Sequence, residues 1–93
     1  MTIIARHLVI SGHVQGVFFR AWTVETAKKL GLGGWVRNRA NGDVEALVEG
    51  EEAAVLRFLD QARTGPPAAR VDHVHIVECA PEAIRGFGKR ATA

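Results

Sequence analysis

The dipeptide Asn41-Gly42 constrains this chain more than any other feature, because of what stands on either side of it: Trp35-Val36-Arg37-Asn38-Arg39 before and Val44-Glu45-Ala46-Leu47-Val48 after. Asn-Gly supplies the positive φ that a tight hairpin needs, so the two runs read as antiparallel neighbours. The flanks of the hairpin then limit the fold. Upstream, Phe19, Trp22, Thr23, Thr26, Ala27 and Leu30 share one face at helical spacing, with Glu25, Lys28 and Lys29 on the other. Gly31 stops this helix, and its two lysines favour the negative end of the dipole. Downstream, Gly50 breaks the strand, and Glu51 and Glu52 open a second helix. Val55, Phe58, Leu59 and Ala62 line its buried face up to Thr64-Gly65-Pro66-Pro67.

Two further strands enclose these elements. Ile3 to Ser11 is a nearly continuous aliphatic run, expected to be covered over most of its length. Val71 to Cys79 alternates, with one face less apolar than the other, and Pro81 ends it. The tail Gly86-Phe87-Gly88-Lys89-Arg90-Ala91 offers a short fifth strand weakened by two glycines. The order β-α-β-β-α-β is that of the split βαβ, and predicts an α+β ferredoxin-like sandwich: an antiparallel four-stranded sheet with two helices on one face. Without repeats, low-complexity tracts or a dividing linker, residues 1–93 are expected to form a single domain.

The stretch Gly12-His13-Val14-Gln15-Gly16-Val17-Phe18-Phe19-Arg20 points to chemistry. It puts an arginine in the first turn of a helix, at the positive end of the dipole, an arrangement that an arriving anion would relieve. Glycines upstream let the backbone curl with its N–H groups inward. Taken alone, the stretch reads equally as a glycine-shaped turn beside a solvated arginine. Its apolar residues favour the anion site, because Val14, Val17 and Phe18 ask for burial and would anchor the loop from below while its amides face out. The spacing is not that of a P-loop. Asn38, where the hairpin begins, can serve the turn or orient a water through its carbonyl and amide; Asn41 already serves the turn.

Other candidates carry less. His13 in the loop reads as a bystander, and His73 and His75 share a strand face without a third metal ligand at suitable spacing. Cys79, the single cysteine, reads as a small buried apolar residue and leaves no internal disulfide, which makes a reduced compartment the default. Trp22 and Trp35 read as packing residues. A net charge of +2 suits small anions and falls short of a nucleic-acid footprint. With no signal-peptide pattern and no run approaching a membrane span, a cytoplasmic location is expected, with no membrane partner.

Two motifs in this chain resemble those of the acylphosphatase family: Gly12-x-Val14-Gln15-Gly16-Val17-x-Phe19-Arg20, and Gly34-Trp35-Val36-Arg37-Asn38-x-x-x-Gly42-x-Val44 followed by Gly50. The resemblance extends through Val71-Asp72-His73-Val74 and Pro81. It implies the same ferredoxin-like βαββαβ fold and a hydrolase that splits the carboxyl-phosphate bond of acyl phosphates, giving carboxylate and inorganic phosphate. Arg20 would then bind the phosphoryl group and Asn38 would position the attacking water. The backbone amides of Gln15, Gly16, Val17, Phe18 and Phe19 would hold the phosphoryl oxygens. No metal or cofactor is expected, nor any nucleic-acid partner; inorganic phosphate is expected as product and inhibitor, and the protein is expected to be a monomer. One departure concerns the C-terminal strand, which in the family usually reads Phe-x-Ile and then an aromatic or basic residue; here Phe87 is followed by Gly88-Lys89-Arg90-Ala91. Two rivals stand beside this reading: a non-enzymatic ferredoxin-like nucleic-acid-binding module, and a relative specific for carbamoyl phosphate.

Overall fold

The computed structural model describes residues 2–93. The hairpin forms as the sequence predicts: β2 (Gly33–Asn38) and β3 (Val44–Glu51) run antiparallel, from Gly33 opposite Glu49 to Asn38 opposite Val44. The Asn41 side chain accepts from the Asp43 amide at 3.0 Å, a local turn bond, while Gly42 takes φ 98. β1 (Ile3–His13) lies on the far side of β3, and β4 (Arg70–Cys79) pairs with its other edge, both antiparallel. Helices α1 (Phe19–Lys29) and α2 (Glu52–Ala62) connect them.

The tail does form a strand, β5 (Phe87–Lys89), and it corrects the expected sheet. The order is β4-β1-β3-β2-β5, and β5 runs parallel to β2, so the antiparallel four-stranded sheet gains a parallel edge. The direction is set by topology. β4 ends at the end of the sheet where β2 begins, so a chain that crosses that end must return alongside β2 in the same sense. The crossing is held by Glu49, a buried carboxylate that accepts from the amides of Glu82, Ala83 and Ile84 at 3.1, 3.1 and 2.9 Å. Three donors on one carboxylate satisfy a charge that would otherwise be costly to bury.

Leu8 and Ile10 of β1, Val36 of β2, and Val44, Ala46 and Val48 of β3 form the sheet side of the core. Phe19, Thr23 and Ala27 of α1 and Val55, Phe58 and Ala62 of α2 close over them. β1 is less covered than its aliphatic run suggested. His7 and Val9 are only half-buried, because the helices cover one face of the sheet and the other stays open. Thr23 is buried yet satisfied, its hydroxyl donating to the Phe19 carbonyl at 2.9 Å.

Candidate functional site

β1 ends, α1 begins and β2 ends at the same end of the sheet, and the loop after β1 closes over that end. Val14 and Val17 are buried there and fasten the loop to the core, as the sequence predicts. Phe18 corrects the prediction. It is 82% exposed, because its backbone takes the left-handed conformation (φ 65, ψ 23) that starts α1 and turns its ring outward. The slot beneath is filled by Phe19, which meets Trp22 edge-on at 5.4 Å. A left-handed non-glycine residue costs about 1–2 kcal/mol.

The loop, the first turn of α1 and the end of β2 enclose a cavity of about 230 Å³. Gln15, Gly16, Phe18, Phe19, Arg20 and Asn38 all line it, so most of the residues singled out from the sequence come together there. Val17 does not line it; its place is in the core below. Among the described residues, neither Arg20 nor Asn38 commits its side chain to an internal hydrogen bond or ion pair. Arg20 thus brings an uncompensated guanidinium to a helix N-terminus, and Asn38 keeps both its donor and its acceptor available. Among the described residues no carboxylate side chain lines the cavity. Its electrostatics favour an anion.

Three features of the site were not legible in the sequence. The first is the Gln15 side chain, whose Nε2 donates to the carbonyls of Arg39 and Asp43, both at 2.8 Å. That amide ties the loop to the hairpin, and so fixes the spacing between Arg20 and Asn38. The second is Glu45. Arg37 and Arg39 flank Asn38 and point to the open face, where Arg37 Nε donates to Glu45 at 2.6 Å and Arg39 lies 3.6 Å from the same oxygen. His7 Nε2 donates to the other oxygen at 2.6 Å. Burial works against the Glu45 charge, but the bonds from Arg37 and His7 outweigh it and hold the carboxyl below its ordinary range. Clamping both neighbours on one face aims Asn38 at the other, toward the cavity. The third is Lys89, which reaches the cavity wall from β5. A strand that weak in sequence gives no register from which to predict it.

The remaining candidates lie elsewhere. His13 ends β1 opposite Arg70 and does not line the cavity. His73 and His75 stack on β4 with ring centres 6.4 Å apart, and among the described residues no three His, Cys, Asp or Glu side chains gather as a metal-ligating group. Cys79 is half-buried, and burial pushes its thiol up from its ordinary value. Trp35 packs on the open face, with Arg90 and Arg37 over its ring at 4.6 and 5.0 Å. Among the described residues no helix is long and apolar enough to cross a membrane.

The Acylphosphatase family profile matches residues 6–88. An acylphosphatase of Rhodospirillum rubrum is 58% identical over 81 residues, covering 87% of this chain and 89% of its own length. One from Acidiphilium cryptum is 52% identical over 90 residues, covering 97% and 99%. The crystal structure of acylphosphatase from Bacillus subtilis superimposes with a TM-score of 0.91 at 34% identity, covering 94% of this chain and 98% of that one.

Proposed function

The chain belongs to the acylphosphatase family and is an acylphosphatase hydrolase, and we propose that it hydrolyses acyl phosphates in the cavity between the Gly12–Arg20 loop and the end of β2. The observation that carries this reading is the meeting of Arg20 and Asn38, 18 positions apart in sequence, in one cavity free of carboxylates. Arg20 and the amides of Gln15, Gly16, Phe18 and Phe19 bind the phosphoryl oxygens, while Val17 anchors the loop in the core, and the guanidinium offers two donors to them. Asn38 orients a water for in-line attack on phosphorus.

The bond from phosphorus to the carboxyl oxygen breaks as the water oxygen bonds to phosphorus. The electron pair leaves with the carboxylate, and the water's proton passes to the phosphate. A carboxylate is a good leaving group, so no general acid has to protonate it. That suits a cavity lined by no Asp, Glu or Cys. What the reaction asks of the protein is positioning and neutralisation of equatorial charge, which Arg20 and the amide ring supply without a metal ion. Inorganic phosphate, the product, then competes for the same cradle. The protein acts as a single-domain monomer in the cytoplasm. That the relatives it matches are enzymes weighs against a nucleic-acid-binding module.

The test is hydrolysis of an aryl acyl phosphate with a chelator present. Arg20→Ala is expected to lose nearly all activity and to weaken inhibition by phosphate. Asn38→Ala is expected to lose turnover by about 10²-fold or more, the scale of lost positioning, and still to be inhibited by phosphate. Parent-like turnover in Asn38→Ala would refute the water-positioning role, and strong dependence on added metal would refute the scheme. Turnover of carbamoyl phosphate beside that of acetyl phosphate separates the general enzyme from a carbamoyl-specific one.

A further inference from the structure

Phe18 joins an exposed ring to the backbone conformation that starts α1, and the fold requires only the conformation. Its ring is the most exposed of the large apolar side chains among the described residues, and its backbone holds a conformation that penalises any residue with a Cβ. Ala83 is the other non-glycine residue with positive φ among those described, and its conformation serves the structure: its amide is one of the three that Glu49 binds. The Phe18 conformation serves as well, since its carbonyl accepts from the Trp22 amide at 3.0 Å to open α1, but the ring has no structural employment. Its ring fills no core, and its side chain gives no capping bond to α1. Glycine would make the same turn without strain and without placing a ring in water. Yet this ring lines the cavity that holds Arg20 and Asn38. Strain and apolar exposure kept together at the wall of a reactive cavity point to a side chain retained for a ligand.

We infer that Phe18 is a specificity residue, which packs on the acyl part of the substrate and favours acyl phosphates with aromatic or bulky apolar acyl groups over small ones. The inference rests on the reading of the cavity given above. With the phosphoryl group on Arg20 and the loop amides, and the water on the Asn38 side, in-line displacement puts the carboxyl on the opposite side of phosphorus. Away from β2, the cavity wall is made by the loop and the first turn of α1, where Phe18 stands. Phe18 lines the cavity and its ring is otherwise in solvent, so an acyl group that extends beyond the carboxyl meets that ring. Covering that ring with another removes apolar surface from water, and an offset or edge-on aromatic contact adds to the gain. A two-carbon acyl group offers little such surface.

The experiment compares kcat/KM for benzoyl phosphate with kcat/KM for acetyl phosphate in the parent, Phe18→Gly and Phe18→Tyr. The ratio is the readout, because any disturbance of the phosphoryl cradle affects both substrates alike. Phe18→Gly is expected to lower the benzoyl-to-acetyl ratio about five-fold or more, with most of the change in KM. Phe18→Tyr keeps an aromatic ring and is expected to hold the ratio within about two-fold. Because glycine accepts this backbone without strain, Phe18→Gly should melt at or above the parent temperature, so the comparison is not confounded by unfolding. A ratio in Phe18→Gly unchanged from the parent's overturns the inference. If the parent hydrolyses both substrates and the ratio does not move, only the role of Phe18 falls. If the parent hydrolyses neither, the reading of the cavity falls with it.

Discussion

Replacing Gln15 by alanine isolates the tie between the two halves of the site. The side chain gives two hydrogen bonds of 2.8 Å, to Arg39 and Asp43, and neither acceptor is orphaned by its loss. The Arg39 carbonyl still accepts from Gly42 at 3.1 Å, and the Asp43 carbonyl from Arg39 at 2.8 Å. The cost is therefore two part-buried hydrogen bonds without a desolvation penalty, about 1–2 kcal/mol in all. For a domain of this size that lowers the melting temperature by about 5–15 °C. The catalytic cost should be larger. Releasing the loop from the hairpin loosens the spacing of Arg20 and Asn38, and a misplacement of about 1 Å can cost on the order of 10²-fold in rate. Urea unfolding followed by fluorescence of the two tryptophans, beside kcat on an acyl phosphate, measures both. Gln15→Glu sharpens the test, since it aims a carboxylate at two carbonyl oxygens and should be worse than alanine in both assays. A Gln15→Ala protein destabilised as expected but with parental kcat would refute the argument that this side chain sets the site.

Three other perturbations follow from the same structure. Glu45→Gln should cost about 1–3 kcal/mol at neutral pH, less than a fully buried pair because Arg37 and His7 are partly solvated. Since the fold depresses the Glu45 pKa, its contribution is complete above the ordinary value of 4.5 and fades as pH falls through the folded-state value. Urea midpoints of parent and variant should therefore converge in acid. Gly34→Ala should cost about 3 kcal/mol or more: Gly34 holds φ +138, and a Cβ there would lie 1.8 Å from the Leu47 carbonyl oxygen. Thermal melting reads this directly. Lys89→Met removes a cation from the cavity wall that forms no ion pair among the described residues; the inhibition constant for inorganic phosphate should rise several-fold at low ionic strength, and less at high salt.

The sequence by itself determined the element order, most of the core and the two residues at the centre of the site. Each of these is written in local terms: a helical or alternating period, an Asn-Gly turn, an arginine at a helix start, an asparagine where a hairpin opens. Helix α1 and the β2–β3 hairpin needed nothing more. Tertiary structure decided what depends on partners distant in the chain. β5 has three residues and two glycines in its neighbourhood, enough to suggest a weak strand but too little to give its direction or register, and it forms because the crossing held by Glu49 delivers it to the free edge of β2. Phe18 looked buried because apolar residues in loops usually are, but a left-handed backbone turned it to solvent and gave the slot to Phe19. Gln15 acts through acceptors 24 and 28 positions away, and Glu45 joins Arg37 of the same hairpin to His7, 38 positions away; no local pattern in a sequence records contacts of that longer range. Arg20 and Asn38 could each be named from their own neighbourhoods, but only the packing of α1 against the sheet brings them to one cavity.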